Sequence, residues 1–443
     1  MNDYLNSVMQ KGFRFARSGK LADCFAHVAD MCSVYLNYGK DNELEVQQKM
    51  LKKMLKYANK HCEYYRNIGK TLNDPLDIKQ YPCIDKKVIR DNFDQIVSDN
   101  IDHMIYNVAR TSGSTGHPLE FYNSNGLDEF FQLSVWKKHG YQDGDKILSM
   151  MGIKIDEDKV RNNIFWQDKP EYRVSQGEFN LSALYLNEET KPIYVDYILN
   201  LKPDFIRAFP SFVTEISRYI LDHDIDIGFK VKGIELTSET SYQEQWDIIE
   251  KAFKTKVFFQ YGHTETCVFA YSYDDTKKLR VEPLYGYVEI LDEDGNHVKE
   301  GEIGEVTVTT LHNFVMPFIR YRIGDMAEFG GWDGKYMILN RILGRSYDYL
   351  VNEEGTKINF TAFLAEHHIR SLGQIERWQF EQFEKGKAII RIIKAKDYTE
   401  ENEKEIRSFF KEYGKTDVEI EYVDKIEKTA RGKNKIVIQH IED

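Results

Sequence analysis

The sequence predicts an α/β protein with a large multi-layered N-terminal domain, residues 1–343, and a small α+β C-terminal domain, residues 344–443. Two observations predict this division. From residue 104 onward, short β-rich runs alternate with helical segments, which is the order expected of layered α/β structure. After Gly344, a helix, two strands, a second helix and two further strands follow within a length that can fold around its own core.

The N-terminal region, residues 1–100, is predicted to be mainly helical. Segment 43–60 is the clearest case, because its apolar residues recur at three- and four-residue spacings and form one face with lysines opposite. These apolar residues are Val46, Met50, Leu51, Met54, Leu55 and Ala58. Later segments show helical patterns over 126–140 and 210–223, and strand patterns over 256–262 and 301–311.

The C-terminal domain has a pattern of its own. Helical periodicity covers residues 361–372 and 399–414, and Thr399 is a suitable capping residue for the second helix. Strand patterns cover 377–383, 388–395, 417–423 and 435–441.

Composition restricts the function classes. A hydrophobic fraction of 42%, an aromatic fraction of 13% and a charged fraction of 30% are the balance of a water-soluble globular protein. The formal net charge of −12 disfavours a nucleic-acid binder, because such proteins gain most of their affinity from Lys and Arg contacts to phosphates. No stretch reaches the roughly 18 apolar residues of a membrane span. We therefore expect small-molecule partners and no membrane insertion.

The N-terminus and the cysteines indicate a cytoplasmic protein. Residues 1–20 lack an apolar core followed by a small-residue cleavage site, so we expect no export. The five cysteines are widely spaced and form no CxxC pair, which predicts neither a disulfide framework nor a zinc site. A reducing compartment fits this usage best.

The segment Thr111–Pro118, "TSGSTGHP", is rich in glycine and hydroxyl residues and lies between two predicted strands. It lacks the lysine and the following helix that the nucleotide-binding pattern GxxxxGK[ST] requires. Glycines let consecutive backbone N–H groups converge on an anion, and Ser and Thr hydroxyls add donors to phosphate oxygens. A hairpin turn uses the same residues, so a turn and a phosphate cradle both remain open.

Three other stretches carry candidate functional residues. Residues 260–266, "QYGHTET", follow an apolar strand, where α/β ligand sites collect, and Glu265 is either a solvated loop acid or a Mg²⁺ ligand. Asp325, after a tight glycine turn, either accepts hydrogen bonds from two ribose hydroxyls or makes an Asx turn. Lys433 lies on a glycine-containing loop between two strands, where most lysines are surface charge.

Taken together, these stretches resemble the adenylate-forming superfamily of acyl-CoA synthetases and related ligases. The resemblance is carried, in chain order, by "TSGSTGHP", "YGHTE", "IRYRIGD", "GRSYD" and "TARGK". The matches extend from Thr111 to the end of the chain and are most similar to the phenylacetate-CoA ligase branch, including CapK-type relatives associated with polysaccharide gene clusters. The stretches "MLKYANKHCEYYRN", "YPCIDKKVIRDNF" and "LKPDFIRAFPSF" resemble the same branch.

The resemblance implies an enzyme that couples a small carboxylic acid to ATP, forms an acyl-adenylate and releases pyrophosphate. It then implies acyl transfer to a thiol, with coenzyme A as the first expectation. ATP and Mg²⁺ are the implied cofactors, and a homodimer is implied by the phenylacetate-CoA ligase likeness. A second interpretation is a CapK-like enzyme that passes the acyl group to a carrier protein or a sugar. A third is a non-catalytic nucleotide-binding protein.

The resemblance also implies roles for individual residues of the adenylation step. Lys433 would stabilise negative charge during attack on the α-phosphate, Thr264 would bind that phosphate, and Glu265 would bind Mg²⁺. Tyr261 would cover the adenine face and Asp325 would hold the ribose. The cradle for the β and γ phosphates would comprise Thr111, Ser112, Gly113, Ser114, Thr115 and Gly116.

Further residues follow from the same likeness. Ser238, Glu239, Gly262 and Arg345 are nucleotide-binding candidates in their respective motifs. The acyl group is expected near Phe259, Gln260 and His263, where an aromatic lining would suit an aryl or other flat acid. The alternatives are that Phe259 is a core residue of a buried strand and that His263 orients a neighbouring residue.

The resemblance implies that the C-terminal domain rotates about a hinge near 344–350 between adenylation and thiol transfer. Two positions depart from the family pattern. Tyr347 occupies the usual position of the hinge aspartate unless Asp348 replaces it, and Ile436 stands where many relatives have arginine. Both departures bear on the thiol step rather than on adenylation.

Overall fold

The chain forms two compact units in the computed structural model. The first unit comprises Met1–Lys138 and Gln260–Arg341, and the second comprises His139–Phe259 and Ile342–Asp443. The residues that the structure describes are 32–104, 106–111, 119–124, 126–167, 178–345, 348–367, 369–426, 433 and 435–441.

The helices agree with the predicted periodicities. α1 buries the apolar face predicted for segment 43–60, with Met54, Leu55 and Ala58 fully enclosed. α3 begins at a capping residue, because the Asp85 carboxylate accepts a hydrogen bond from the Val88 N–H. In chain order the helices are α1 (Glu43–His61), α2 (Glu63–Gly69), α3 (Lys86–Asp91), α4 (Phe93–Ile96), α5 (Asp128–Lys138), α6 (Glu157–Arg161), α7 (Lys191–Leu201), α8 (Pro210–Asp222), α9 (Gln243–Phe253), α10 (Phe360–His367) and α11 (Glu400–Glu412).

The strands follow the same chain-order numbering. They are β1 (Asn107–Arg110), β2 (Glu120–Asn123), β3 (Ile147–Met151), β4 (Trp166–Gln167), β5 (Glu178–Ser182), β6 (Phe205–Ala208), β7 (Gly233–Thr237), β8 (Val257–Gly262), β9 (Phe269–Ser272), β10 (Leu279–Val281), β11 (Gly286–Leu291), β12 (Ile303–Thr310), β13 (Tyr321–Asp333), β14 (Tyr336–Arg345), β15 (Tyr349–Val351), β16 (Lys357–Asn359), β17 (Ile375–Glu384), β18 (Lys387–Lys394), β19 (Asp417–Tyr422) and β20 (Val437–Gln439).

The first unit contains an antiparallel sheet and a separate hairpin. Its strands lie in the order β11, β12, β13, β14, β10 and β9, and the last three residues of β8 pair with β9. β13 alternates buried and half-buried residues, as expected of a strand with one face on a core. β1 and β2 form the antiparallel hairpin, with Arg110 opposite Glu120. The two strands predicted on either side of Thr111–Pro118 are therefore present.

The second unit contains a parallel sheet and a four-stranded C-terminal sheet. β7, β6, β3 and β5 are parallel neighbours, because helices such as α7 and α8 return the chain between them, and β4 pairs antiparallel at the edge. The C-terminal sheet has the order β19, β18, β17, β20, with Phe380 opposite Ile390. Phe380 packs against the rings of Phe360 in α10 and Phe410 in α11, which forms the C-terminal core.

The structure confirms the predicted fold class, an α/β protein with a small α+β C-terminal part. One predicted helix is too long: α10 ends at His367, and a separate 3₁₀ helix covers Arg370–Gln374. The buried Ile369 between them has an extended backbone, which interrupts the helical path. The boundary at residues 343 and 344 stays a prediction. Among the described residues, no helix has the length and apolarity to cross a membrane.

Candidate functional site

A buried carboxylate forms the centre of the candidate site in the first unit. Glu265 lies in the turn between β8 and β9 and is 4% exposed. Its Oε1 accepts a hydrogen bond from the Tyr321 hydroxyl at 2.9 Å, and its Oε2 lies 3.0 Å from Nδ1 of His263. Glu265 is therefore enclosed and oriented, unlike a solvated loop acid.

The surroundings of Glu265 keep its carboxylate ionised. Burial raises the pKa of this carboxyl, but the charge and hydrogen bond of His263 and the charge of Lys86 outweigh it and lower the pKa to about 2. Lys86 is the first residue of α3 and lies two residues after Ile84, which bridges to Tyr321 at the start of β13. The carboxylate therefore carries its negative charge throughout the physiological pH range, the form that a hard cation binds.

His263 has one ring nitrogen committed and one unused. Nδ1 contacts the Glu265 carboxylate, while Nε2 is buried and has no hydrogen-bond partner among the described residues. Buried polar atoms are nearly always hydrogen-bonded in native proteins, so an unused one requires an explanation. His263 consequently remains the candidate contact to the acyl group that its motif predicts.

Two predicted nucleotide-binding residues are hydrogen-bonded to each other in the first unit. The Tyr261 hydroxyl donates to Oδ2 of Asp325 at 2.8 Å. The sequence suggested a tight glycine turn before Asp325, but the structure places Asp325 within β13. The preceding Gly324 has a φ of +85°, and the pairing of β13 with β12 shifts register in this region. Glycine adopts that backbone angle without strain, so the irregularity reorients the strand at Asp325.

The hairpin of β1 and β2 carries the glycine-rich loop. At its base the Thr111 N–H donates to the Leu119 carbonyl, and the Leu119 N–H donates to the Thr111 hydroxyl, both at 2.9 Å. Near the end of β2, Asn123 accepts a hydrogen bond from the Thr266 hydroxyl at 3.3 Å, which ties the hairpin to the Glu265 turn. The other predicted cradle residues, Ser112, Gly113, Ser114, Thr115 and Gly116, lie outside the described residues.

The remaining residues of the "QYGHTE" turn have mixed surroundings. Gln260 is buried opposite Tyr271 in β9. A Cβ at Gly262 would lie 2.8 Å from the Gln260 amide nitrogen and 3.1 Å from the Val268 carbonyl oxygen, so a larger residue there would displace the Gln260 side chain and crowd the Val268 carbonyl. Thr264 is half-buried beside Glu265.

In the second unit the predicted catalytic lysine meets the predicted adenine-edge segment. Nζ of Lys433 donates to the carbonyl oxygen of Ser238 at 2.9 Å and lies 5.6 Å from the centre of the Phe209 ring. Ser238 follows β7 and has a φ of +70°, a left-handed conformation that is costly for a residue other than glycine. Such strained residues cluster at functional sites, which agrees with the predicted role of this turn.

Three further candidates lie in the second unit. The Glu239 carboxylate accepts a hydrogen bond from the Ser211 N–H at the start of α8, so one of its oxygens has a structural role. Phe259 is half-buried against Trp246. The Arg345 carbonyl accepts hydrogen bonds from the Asp348 N–H and the Asn359 amide, which orders the chain on both sides of the undescribed residues 346 and 347.

Comparisons with known proteins identify relatives of this chain. Residues 350–440 match the family described as the CapK C-terminal domain. The chain is 28% identical over 416 residues to Protein CapK of Staphylococcus aureus, covering 90% of this chain and 89% of that protein. It is 22% identical over 329 residues to the phenylacetate-coenzyme A ligase of Escherichia coli (strain K12), covering 69% and 72%.

A solved structure shows the same fold. The chain matches 2-hydroxyisobutyryl-CoA ligase in complex with 2-HIB-AMP with a TM-score of 0.67 at 15% identity, over 89% of each chain. In its motifs and relatives this chain resembles the adenylate-forming superfamily of ligases. Within that superfamily the resemblance is to the branch that contains the CapK-like proteins and the phenylacetate-CoA ligases.

The sequence did not reveal every contact that surrounds the candidate residues of each unit. Tyr321 belongs to the quoted "IRYRIGD" stretch, but its hydrogen bond to Glu265 spans 56 positions. The second unit also contains a buried ion pair between Glu215 and Arg377, 162 positions apart. No local pattern marks either contact, because each depends on how distant elements pack.

Proposed function

We propose that this protein activates a carboxylic acid with ATP, forming an acyl-adenylate and releasing pyrophosphate, and then transfers the acyl group to a thiol, with coenzyme A as the first candidate. The observation that carries the proposal is the enclosed, ionised Glu265 beside the hairpin of the glycine-rich loop. A fixed anion at that position is suited to a cation that accompanies a polyphosphate.

Glu265 has the chemistry that Mg²⁺ requires. Oε1 accepts a hydrogen bond from Tyr321, Oε2 lies 3.0 Å from Nδ1 of His263, and each oxygen retains a further lone pair. Within the described ranges no group of three or more His, Cys, Asp and Glu side chains is arranged to hold a metal. This carboxylate would hold Mg²⁺ together with phosphate oxygens and water, the usual way in which that ion is bound. Bound there, Mg²⁺ would neutralise charge on the phosphates.

The chain's own residues would perform the other tasks of adenylation. Lys433 would supply positive charge to the α-phosphate as negative charge spreads during attack, and Thr264 would donate a hydrogen bond to it. The hydrogen bond between Tyr261 and Asp325 fixes the Asp325 carboxylate, which would accept hydrogen bonds from the ribose. The contact between Tyr261 and Asp325 is present before substrate arrives, so this carboxylate would need little reorganisation during the reaction.

A second candidate differs only in the acceptor. The similarity to Protein CapK covers more of the chain, at higher identity, than the similarity to the phenylacetate-coenzyme A ligase. The CapK C-terminal family also matches residues 350–440, and the departures at Tyr347 and Ile436 fall on the hinge and the motif-lysine loop. These points favour an acceptor other than coenzyme A, such as a carrier-protein thiol or a sugar.

The first test measures ATP-dependent pyrophosphate release across a panel of aryl, short fatty, hydroxy, sugar and amino acids, with coenzyme A omitted. Wild type should release pyrophosphate with one acid class. Lys433→Ala should lose about 100- to 1000-fold, the usual effect of removing one group that stabilises developing charge. The matched control is Lys435→Ala, which removes a second lysine two residues further along. Undiminished release in Lys433→Ala would refute the role of Lys433.

Adding coenzyme A then separates the two acceptors. Formation of acyl-CoA with the active acid supports the first candidate, whereas pyrophosphate release without acyl-CoA favours the CapK-like acceptor. Protein that binds ATP and releases no pyrophosphate with any acid would support the non-catalytic interpretation instead.

A further inference from the structure

A buried ion pair joins two parts of the second unit that are distant in sequence. Nε and Nη2 of Arg377, in β17, lie 2.5 and 2.7 Å from Oε1 and Oε2 of Glu215, in α8. The two side chains are 11% and 5% exposed. This is the bidentate geometry in which arginine recognises a carboxylate most strongly, and burial protects it from screening by salt.

Two neighbouring contacts reinforce the pair. Nη2 of Arg218, one turn further along α8, donates to the carbonyl oxygens of Gly373 and Ile375 at 2.7 and 3.2 Å. Nζ of Lys191, at the start of α7, lies 3.6 Å from Oε2 of Glu376. The segment 373–377 is therefore held on α7 and α8 by several charged side chains.

On the C-terminal side, β17 pairs with β20, the strand that follows Lys433 in the chain. β17 is parallel to β20, and the Phe380 N–H donates to the Ile436 carbonyl at 2.7 Å. The Gln379 amide donates to the Lys435 carbonyl at 3.0 Å. Arg377 is three residues from Phe380, and Lys433 is three residues from Ile436, so a displacement of β17 also displaces Lys433.

On the other side, the first turn of α8 contacts the residue next to Ser238, the hydrogen-bond partner of Lys433. The Ser211 N–H, in the first turn of α8, donates to the Glu239 carboxylate at 3.1 Å. Glu239 directly follows Ser238, whose carbonyl accepts the hydrogen bond from Nζ of Lys433. Contacts therefore connect Lys433, through β20 and β17, to Arg377 and its partner Glu215 in α8. From α8 they continue through Glu239 to Ser238, which contacts Lys433 again.

We infer that Glu215 and Arg377 are positioning residues that hold Lys433 against the Ser238 turn in the state that carries out adenylation. The role of Lys433 in this inference rests on the proposed function. The pair touches no substrate; it acts by fixing the distance between β17 and α8. Glu215→Gln leaves the buried charge of Arg377 uncompensated, and Arg377→Lys loses the bidentate contact, so each change favours separation of the two elements.

The experiment has two readouts. The first is the rate at which formaldehyde and borohydride methylate Lys433, measured by mass spectrometry, which reports the contact with Ser238 without any activity. The second is ATP-dependent pyrophosphate release with the active acid. Glu215→Gln and Arg377→Lys test the pair, and the exchange Glu215→Arg with Arg377→Glu tests its restoration.

The matched control is Glu381→Gln. Glu381 also lies in β17 and pairs with an arginine, Arg391, but that pair stays within the C-terminal sheet. Glu381→Gln removes a carboxylate from β17, as Glu215→Gln removes one from α8, and it affects contacts to Arg391 and His440 without touching α8. Circular dichroism establishes that each variant is folded. If Glu215→Gln does not fold, Arg377→Lys is the variant that tests the pair.

Both single variants should methylate Lys433 about fivefold faster than wild type, as expected for loss of one hydrogen bond. Pyrophosphate release should fall about 100-fold, the effect of a small misplacement of a catalytic group. The charge exchange should recover both readouts in large part, and Glu381→Gln should match wild type.

The two proposals can fail separately. Faster methylation of Lys433 in the variants, with no pyrophosphate release even from wild type, would support the positioning pair and overturn the proposed function. Unchanged methylation and unchanged release in folded Glu215→Gln would overturn the positioning pair and leave the proposed function standing. Equal changes in Glu381→Gln would also overturn it, because the effect would then be general to β17.

Discussion

Two glutamates of the first unit are equally enclosed and behave in opposite ways. Glu265 is 4% exposed and Glu282, directly after β10, is 1% exposed. The pKa of Glu265 is lowered to about 2, whereas the pKa of Glu282 is raised above its ordinary value. Burial alone therefore does not decide whether a carboxyl in this protein is charged.

The neighbouring groups explain the difference. Both oxygens of Glu265 have a partner, but at Glu282 only Oε1 does: it accepts from Tyr38 at 3.1 Å and lies 3.4 Å from Nζ of Lys138. Oε2 of Glu282 has no hydrogen-bond partner among the described residues. Burial raises the pKa of Glu282, Lys138 lowers it, and the nearby negative charge of Glu43 raises it again.

The neighbours of Glu265 favour its ionised form, whereas the surroundings of Glu282 disfavour it. Glu265 is supplied with a hydrogen bond at each oxygen and with positive neighbours, so its charge is available to a ligand. Glu282 shares one partly desolvated lysine with a second carboxylate. Only the first arrangement predicts a role in binding a cation.

The largest expected difference is in activity. Glu265→Gln should lower pyrophosphate release about 100- to 1000-fold, because an amide cannot supply the anionic oxygen that Mg²⁺ prefers. Glu282→Gln should stay within about threefold of wild type, because Glu282 touches no predicted ligand site. The measurement is initial-rate pyrophosphate release at saturating ATP and acid. Equal losses in the two variants would remove the functional distinction between these carboxyls.

The second difference is in the pH dependence of stability. The folded-state pKa of Glu265 lies below its ordinary value of 4.5, so its stabilisation is present above pH 4.5 and is lost as pH falls toward 2. The difference between wild type and Glu265→Gln should shrink by about 3 kcal/mol across that interval. For Glu282 the pKa is raised, so wild type should lose stability relative to Glu282→Gln as pH rises above the ordinary carboxyl range.

Urea unfolding of wild type and both variants from pH 2 to pH 8 measures these differences. The informative quantity is the sign of the slope, because general acid effects act on all three proteins alike. Slopes of the same sign for the two variants would contradict the opposite pKa shifts.

The smallest expected effect concerns the two tyrosines. Tyr321→Phe removes the hydroxyl that donates to Glu265 and should lower the free energy of unfolding at pH 7 by about 2 kcal/mol, since its acceptor is charged. Tyr38→Phe removes the hydroxyl that donates to Glu282 and should cost about 1 kcal/mol. Both values follow from urea unfolding at pH 7. A larger loss for Tyr38→Phe would mean that Glu282 is the more strongly charged acceptor.

Much of the fold was predictable because its signals are local. The apolar face of α1, the strands around Thr111–Pro118 and the order of elements after Gly344 all follow from the spacing of neighbouring residues. The end of α10 was not predictable, because packing against the C-terminal core sets the extended backbone conformation of the buried Ile369.

The candidate site was predictable as a set of residues but not as an arrangement. The motifs point to Glu265, Asp325 and Lys433 by residue type and position in the chain. Only the structure shows that Tyr261 donates a hydrogen bond to Asp325 and that Lys433 donates one to the Ser238 carbonyl. Such contacts connect separate motifs, and no spacing rule within a single motif encodes them.

The sequence by itself therefore determined the fold class, most element positions and the chemical types available at the site. Periodicity, capping and turn chemistry act over a few residues and can be read along the chain. The tertiary structure alone decided that Glu265 is held as an anion and that Lys433 contacts Ser238. It also decided that Glu215 and Arg377 form the ion pair between α8 and β17. Coulombic and hydrogen-bond energies depend on distances of a few ångströms, and chain folding sets those distances between residues far apart in sequence.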